Sequence, residues 1–184
     1  MTTGAPRVRR VATDDLTAAE VAALRALLWS AFPAGEEGFT EDDWEHAVGG
    51  THFLVEEDGV IVSHASVVER ELHIAGRPVR TGYVEAVATV PASQGRGLGT
   101  VVMREVTAHI RAGYELGALG TGLHGFYERL GWLTWRGPTS VRTDQGELRT
   151  QDDDGSIMVL PTPTTPELDV TSSISCEWRP GDVW

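Results

Sequence analysis

The sequence predicts an α/β (α+β) protein in which strands and helices follow one another along all 184 residues. The clearest observation is that Val84–Val90 is rich in valine and threonine, which favour strands, and is ended by Pro91, which has no N–H for a sheet ladder. A glycine-rich turn follows, and then a helix with apolar residues four positions apart at Leu98, Val102, Val106 and Ile110. Two helix-capping signatures and an Asp-Gly hairpin turn earlier in the chain agree with this class.

The part of the chain before this segment has the signals of two helices and three strands. We expect a first strand over 7–12, and then a helix from the Thr17–Glu20 capping box to near Pro33. A glycine loop over Gly35–Gly38 leads to a second capping box at Thr40–Asp43, which opens a short helix to Val48. Two strands follow, over Thr51–Glu57 and Val60–Glu69, with a turn at Asp58-Gly59 between them and a turn at Ala75–Pro78 after them.

The part after the segment alternates between short helices and short strands. We expect Gly113 just after the helix end, a strand over Tyr114–Leu119, and a helix over His124–Leu130 that is stopped by Gly131. A strand over Leu133–Trp135 is followed by a polar, turn-rich stretch over Gly137–Gly155. The last two strands are expected over Ile157–Leu160 and around Ser173–Trp178. Repeats and domain boundaries are absent from the sequence, so residues 1–184 are predicted to form a single domain.

The net charge of −12 limits the partners that the chain can have. Arginine is the only basic side chain besides histidine, so nucleic acid is not an expected partner, because phosphate contacts need a basic face. The acidity suits a polycation, although an acidity that serves only solubility explains it equally well. The single cysteine, Cys176, and the unpatterned histidines predict neither disulfides nor a metal site. Without a signal peptide or a spanning segment, we expect a cytoplasmic protein with no membrane partner.

The glycine turn predicts a phosphate site. The main-chain N–H groups of Gly95, Gly97, Leu98 and Gly99 can converge on an anion because glycine has no Cβ to block it, and the helix N-terminus adds partial positive charge. The turn lacks the Gly-Lys-Ser/Thr of a Walker loop and the glycine spacing of a dinucleotide-binding loop. A glycine turn alone is more often a plain strand–helix connection, so the surrounding residues have to decide its ligand.

Two motifs resemble those of the GNAT acyltransferases. Gln94-Gly95-Arg96-Gly97-Leu98-Gly99 matches their pyrophosphate loop, Gln/Arg-x-x-Gly-x-Gly/Ala, and Phe126-Tyr127-Glu128-Arg129-Leu130-Gly131-Trp132 matches their late helix. The resemblance implies the GNAT fold, which is a mixed, twisted sheet flanked by helices. It also implies acetyl-CoA as the acetyl donor.

Five further stretches are similar to the aminoglycoside 2′-N-acetyltransferases: Asp43–His46, Gly82–Glu85, Gly137–Val141, Asp152–Gly155 and Trp178–Trp184. The likeness implies acetyl transfer to the 2′-amino group of aminoglycoside antibiotics, hence antibiotic resistance, and a homodimer is common in this family. Two positions depart from the family pattern. Gly38 stands where an aspartate is frequent, with Glu36 or Glu37 as its substitute, and Gly120 stands where a serine contacts the drug.

The resemblance also implies roles for individual residues. It makes Glu85 the base that deprotonates the amine through a water, and Tyr127 the acid that protonates the departing thiolate. The Val87 N–H is expected to polarise the thioester carbonyl. Alternation along the strand is expected to put Glu85 on one face with Tyr83, Val87 and Thr89. The expected cofactor contacts are Val87, Ala88, Thr89, Gln94, Gly95, Arg96, Gly97, Leu98 and Gly99.

Recognition of a polycationic drug requires carboxylates, because charge-assisted hydrogen bonds to ammonium groups are the strong ones. The positions matched to the drug contacts of the family are Asp43, Glu85, Ala86 through its main chain, Gly120, Asp152, Asp153 and Trp184 through its carboxylate. Without the resemblance, Asp152–Asp154 would be expected to form a solvated turn, Trp184 to be an ordinary docked tryptophan and Tyr127 to be a core tyrosine. The residues alone fit a solvent-facing Glu85 as well as a catalytic one.

Two other functions stay open at this point. One is a GNAT acetyltransferase that acts on another small polyamine or amino sugar. The other is a non-catalytic module that binds CoA or sequesters the drug, against which the presence of Glu85 and Tyr127 argues.

Overall fold

The computed structural model of the protein describes residues 6–32 and 38–184. They divide into two compact units, one within Met1–Val68 and Val84–Val106, the other made of Glu69–Tyr83 and Thr107–Trp184. The single domain over 1–184 stays a prediction. Three elements have residues in both units: strands β3 (Val60–Ile74) and β4 (Arg77–Thr89) and helix α3 (Leu98–Gly113).

The first unit contains the two helices that the capping boxes predict. Helix α1 (Ala18–Ala31) begins after Thr17, whose hydroxyl accepts the Glu20 N–H while the Glu20 carboxylate accepts the Thr17 N–H. Helix α2 (Glu41–Ala47) begins in the same way at Thr40 and Asp43. The loop between them, predicted as Gly35–Gly38 after a helix end near Pro33, lies outside the described residues except for Gly38.

Strands β1 (Val8–Ala12) and β2 (Thr51–Glu57) of the first unit are antiparallel to each other, and β2 is antiparallel to the beginning of β3. Asp58 and Gly59, with φ of 51° and 79°, form the predicted two-residue turn. The core of this unit consists of residues from α1, α2 and three strands: Leu24, Leu27, Leu28, Trp44, Leu54, Ile61 and Ala88.

Strand β3 is longer than predicted, and strand β4 begins within the predicted turn. The turn between them consists of Ala75 and Gly76 alone, with φ of 48° and 76°, so that β3 continues to Ile74 and β4 begins at Arg77. The prediction that Arg77 and Pro78 belong to the turn was wrong. A proline is tolerated in the first residues of a strand, where its missing N–H costs no central ladder bond.

The second unit holds a mixed set of strands, since some of its pairs are parallel and others antiparallel. Beside β3 and β4, its strands are β5 (Leu116–Gly120), β6 (Leu133–Thr134), β7 (Thr139–Thr143), β8 (Gly146–Arg149), β9 (Ile157–Pro161) and β10 (Ile174–Glu177). The pairs β4–β5 and β10–β7 are parallel. The pairs β5–β9, β6–β9, β7–β8 and β3–β10 are antiparallel.

The hairpin of β7 and β8 lies where the sequence predicted only polar turns. Thr139 and Ser140 are buried in β7 although they are polar. Their hydroxyls are satisfied inside the protein, as when Thr139 Oγ1 donates to the Thr150 carbonyl at 2.7 Å. A buried strand of polar residues has no apolar alternation by which to be recognised.

The helices that follow β4 agree with the prediction in position and differ at their ends. All four apolar residues predicted for one face of α3 are buried. Gly113 is the last residue of α3 itself and not the residue after it, and α4 (His124–Glu128) ends two residues early. Within the described residues, every helix is too short or too polar to cross a membrane.

Candidate active site

The main chain of β4 is irregular at the residues predicted to do chemistry. Ala86 has a φ of 51°, in the left-handed region that a residue with a Cβ adopts at a cost of about 1–2 kcal/mol. A left-handed residue inside a strand reverses the local path and is characteristic of a bulge. The expected alternation of Tyr83, Glu85, Val87 and Thr89 on one face therefore does not continue past Ala86.

Side chains of β3 supply hydrogen bonds to the carbonyl groups around this bulge. Ser66 Oγ donates to the Glu85 carbonyl at 3.3 Å, His64 Nδ1 lies 2.8 Å from the Ala86 oxygen, and Ser63 Oγ donates to the Ala88 carbonyl at 3.1 Å. The three donors are buried. None of the sequence motifs points to them. Their only signal was the presence of polar residues within an otherwise apolar strand.

The predicted phosphate loop has the backbone that an anion site requires. Gly95 and Gly97 have φ of 75° and 80°, and a Cβ added at either would meet no described atom within 4 Å. The first helical hydrogen bond of α3 runs from the Val101 N–H to the Gly97 carbonyl, at 3.1 Å. The N–H groups of Leu98 and Gly99 precede it and have no acceptor within the helix.

Two polar side chains of the loop are already engaged with the protein. Gln94 Nε2 donates to the Thr89 carbonyl at 3.1 Å, which ties the loop to the end of β4. The Arg96 guanidinium forms two hydrogen bonds with the Glu57 carboxylate, at 2.8 and 2.7 Å. With Arg96 paired in this way, the positive partial charge that the loop presents comes from its main-chain N–H groups and the helix dipole.

Tyr127, the predicted acid, lies on α4 in the second unit and is buried. Its ring contacts Phe126 edge-to-face at 4.9 Å and lies 6.2 Å from the Trp132 ring. Burial raises the pKa of the Tyr127 phenol to about 12. The hydroxyl is thus protonated at neutral pH, as a proton donor has to be.

The aspartates at 152–154 have different surroundings. Asp154 is bound by Arg149 at 2.7 Å and by the Thr139 N–H at 2.9 Å, and these bonds lower its pKa. Asp153 is half-buried, and burial, followed by the nearby Asp182, raises its pKa. Asp152 is exposed. Asp154 is therefore a structural residue, whereas Asp153 is a carboxylate that a cation would stabilise.

The structure brings two predicted substrate residues of the second unit, Gly120 and Trp184, close together. Trp184 is buried, and its indole N–H donates to Thr150 Oγ1 at 2.9 Å. The Trp184 N–H donates to Asp182 Oδ1 at 3.1 Å, and Arg179 donates to the Trp184 main-chain oxygen at 3.2 Å. A Cβ added at Gly120 would lie 3.8 Å from the Trp184 carbonyl carbon.

Asp43, in the first unit, is engaged in capping α2. Its Oδ2 accepts both the N–H and the hydroxyl of Thr40, each at 2.8 Å. Glu36 and Glu37, the expected substitutes for a missing aspartate, lie outside the described residues.

Metal-ligating groups are not clustered in the described part of the chain, where no group of three or more His, Cys, Asp or Glu residues could hold an ion. The buried Cys176 has a pKa raised to about 11 by desolvation, so its thiol is protonated at neutral pH.

Comparison with known proteins agrees with the motifs. The family model of the acetyltransferase (GNAT) domain matches residues 12–134. An aminoglycoside 2′-N-acetyltransferase from Mycolicibacterium fortuitum is 43% identical over 180 residues, which cover 96% of this chain and 91% of that protein. The chain belongs to the aminoglycoside 2′-N-acetyltransferase family of GNAT enzymes. Family membership confirms an acetyltransferase with acetyl-CoA as its donor.

Solved GNAT structures confirm the fold. A GNAT family N-acetyltransferase from Escherichia coli, crystallised with CoA, has a TM-score of 0.65 at 16% identity, covering 96% of this chain and 93% of that one. A GCN5-related N-acetyltransferase from Kribbella flavida has a TM-score of 0.57 at 24% identity over 72% of this chain. The present GNAT chain spans only 34% of the Kribbella protein.

Proposed function

We propose that this GNAT enzyme transfers the acetyl group of acetyl-CoA to the 2′-amino group of aminoglycoside antibiotics and so confers resistance to them. The observation that carries the proposal is the 43% identity, over 96% of the chain, to an aminoglycoside 2′-N-acetyltransferase. The presence of Glu85, Tyr127 and the glycine loop supports catalysis, and the acidic surroundings of Asp153 support a cationic substrate.

The loop between β4 and α3 fits the pyrophosphate of acetyl-CoA, which supplies a thioester as the activated acetyl group. We assign the anion contacts to the N–H groups of Gly95, Gly97, Leu98 and Gly99. The open space at Gly95 and Gly97 and the N–H groups that precede the first helical bond of α3 support this assignment. The remaining expected contacts of the loop, Gln94 and Arg96, then act by fixing its shape.

We assign the activation of the amine to Glu85 and the polarisation of the thioester carbonyl to the Val87 N–H. The two groups flank Ala86, whose left-handed conformation changes the directions of the peptide groups on either side. A strand interrupted in this way leaves main-chain groups of Val87, Ala88 and Thr89 for an extended ligand, as in strand addition. Glu85 itself is half-buried, which keeps a base partly shielded from water.

We assign to Tyr127 the protonation of the departing thiolate. Burial raises the pKa of Tyr127 to about 12, so the hydroxyl is protonated at neutral pH and can donate a hydrogen bond to the sulfur as the thiolate departs. The buried position of the phenol among aromatic rings also fixes its direction.

Carboxylates are assigned to the binding of the polycation. The raised pKa of Asp153 means that its negative charge costs free energy when no cation is near. An ammonium group would remove this cost, so that binding is stronger than at a solvated carboxylate. Asp152, Asp43, the Ala86 main chain and the Gly120–Trp184 contact are the further expected drug contacts. The cytoplasmic location and the homodimer stay predictions.

Mass spectrometry on a pair of aminoglycosides that differ at one position tests the proposal. With acetyl-CoA present, the member with a 2′-amino group should gain one acetyl group, and the member with a 2′-hydroxyl group should gain none. Acetylation of both would place the reaction at another amine. If neither is acetylated but other small polyamines are, the substrate class is wrong. If no amine releases free CoA thiol, the protein is a binding module.

A further inference from the structure

A network of hydrogen bonds in the first unit runs from the exposed Gly49 through two buried histidines to the Ala86 carbonyl. We name it the histidine network. Its first two contacts join the Gly49 N–H to Thr13 Oγ1 and Thr13 Oγ1 to His52 Nε2, each at 2.9 Å. The next two join His52 Nδ1 to His64 Nε2 at 2.9 Å and His64 Nδ1 to the Ala86 oxygen at 2.8 Å. Both imidazoles are inaccessible to solvent. Neither histidine has a place in the chemistry assigned to Glu85, Val87 and Tyr127.

The direction of every bond in the network follows from its last member. A carbonyl oxygen only accepts, so His64 Nδ1 carries the proton, and Nε2 of a neutral His64 then has to accept. His52 must therefore donate from Nδ1 and accept at Nε2 from the Thr13 hydroxyl. The Thr13 hydroxyl also lies 3.3 Å from the Gly50 carbonyl, a longer contact than the one to His52.

The neutral state of both rings is secured by their burial. Desolvation lowers the pKa of His52 to about 4 and that of His64 to about 3, so neither ring is charged at neutral pH. Each is held in the tautomer with the proton on Nδ1.

We propose that His64, oriented by His52, is a positioning residue for acetyl transfer, because its Nδ1–H fixes the peptide group of Ala86 between Glu85 and Val87. The inference rests on the proposed function, since Glu85 and Val87 are the residues assigned to the reaction. Alanine does not favour the left-handed conformation by itself, so surrounding contacts must hold it. The bond from His64 acts on the Ala86 carbonyl directly.

A role in positioning is distinct from a role in packing. Replacing both buried imidazoles by apolar side chains of similar size would remove the bond between them at little cost in folding free energy, because neither ring would leave the other with an unpaired polar group. What apolar side chains cannot supply is a donor at the Ala86 oxygen. Loss of that donor should let the peptide groups of Glu85 and Val87 reorient, and a misplacement of about 1 Å can cost roughly 100-fold in rate.

The tautomers can be measured on the wild-type protein without any substrate. A long-range ¹H–¹⁵N correlation spectrum of protein labelled with ¹⁵N-histidine should show both His52 and His64 protonated on Nδ1. Protonation of His64 on Nε2 would overturn the inference, because Nδ1 would then face the carbonyl without a proton. This result is independent of the substrate and of whether any variant folds.

Two variants of His64 separate the donor from the volume. His64→Asn keeps an N–H donor at the position of Nδ1, whereas His64→Leu keeps the bulk and has no donor. We expect His64→Leu to lower kcat about 10- to 100-fold with little change in the KM for acetyl-CoA, and His64→Asn to recover most of kcat. His73→Leu, on the same strand and paired with Glu71 at 3.0 Å, is the control and should leave kcat unchanged.

Equal losses of kcat in the two His64 variants, or a wild-type kcat in His64→Leu, would overturn the positioning role. A wild-type enzyme without aminoglycoside acetylation would instead contradict the proposed function. The spectrum of the wild-type protein would then still decide whether His52 and His64 each carry their proton on Nδ1.

Discussion

Replacing Gly97 by alanine tests the main-chain contribution of the phosphate loop. Gly97 has a φ of 80°, and an added Cβ meets no described atom within 4 Å, so the methyl group should cause no clash inside the protein. The cost to folding is that of a left-handed alanine, about 1–2 kcal/mol. For a domain of this size that corresponds to a fall in Tm of roughly 2–8 °C.

Gly76 offers a matched control in the turn between β3 and β4. Its φ is 76°, and an added Cβ there also has no described atom within 4 Å. Gly76→Ala should therefore lower Tm by a similar amount. Under the proposed loop assignment, only the methyl group of Gly97→Ala would lie where the cofactor phosphates approach the N–H groups of Leu98 and Gly99.

The assay is calorimetric titration of each variant with acetyl-CoA. Loss of one charge-assisted hydrogen bond costs about 1.5–3 kcal/mol, so the Kd of Gly97→Ala should rise about 10- to 100-fold. The Kd of Gly76→Ala should match the wild type. If both variants bind acetyl-CoA equally well, the main chain at Gly97 does not hold the phosphates and the loop assignment fails.

Three further substitutions test the proposed base, the proposed drug-binding carboxylate and the buried arginine. Glu85→Gln should lower kcat most at low pH, where the amine is most protonated, without changing the acetyl-CoA Kd; a pH–rate profile like that of the wild type would remove Glu85 from the mechanism. The pKa of Asp153 is raised above its usual 3.8, so the negative charge of Asp153 destabilises the folded protein at neutral pH. As the pH falls towards this raised pKa, the carboxylate is protonated and the destabilisation disappears. Asp153→Asn should therefore raise Tm at neutral pH, weaken drug binding and flatten the pH dependence of drug affinity, all of which drug titrations and calorimetry can check. Arg70 has a 3% exposed side chain that donates to the 44% exposed Glu177 carboxylate and to the Val183 carbonyl, so Arg70→Met loses hydrogen bonds of a charged group and should cost about 1.5–3 kcal/mol. Arg80→Met, at a pair in which Arg80 is 51% exposed and Glu69 56%, should cost at most about 1 kcal/mol. Equal unfolding curves for these two variants would contradict the importance of the buried arginine.

Local signals in the sequence predicted the elements whose stability is local. The Thr17 and Thr40 capping boxes are formed by residues three positions apart, and the Asp58-Gly59 turn by two adjacent residues. The apolar face of α3 follows from spacing alone. These features depend on neighbours in the sequence, so the sequence is sufficient to find them.

Features that depend on distant residues were missed. The bulge at Ala86 contains no glycine from which the sequence could predict it. The contacts that hold it come from another strand, where His64 and Ser66 bind the carbonyl oxygens of Ala86 and Glu85. The hairpin of β7 and β8 is polar, and its buried hydroxyls find partners only in the folded protein. For the site, motifs predicted the phosphate loop, the candidate base and acid and the capping box that contains Asp43, whereas the pairing of Arg96 with Glu57 required the structure.

The position of the acetyl group in the product tests the central claim most directly. After incubation of an aminoglycoside that has several amino groups with enzyme and acetyl-CoA, NMR of the purified product should show a single acetyl group, on the 2′ nitrogen. An acetyl group on any other nitrogen, or a product mixture without preference for the 2′ position, would contradict the proposed function.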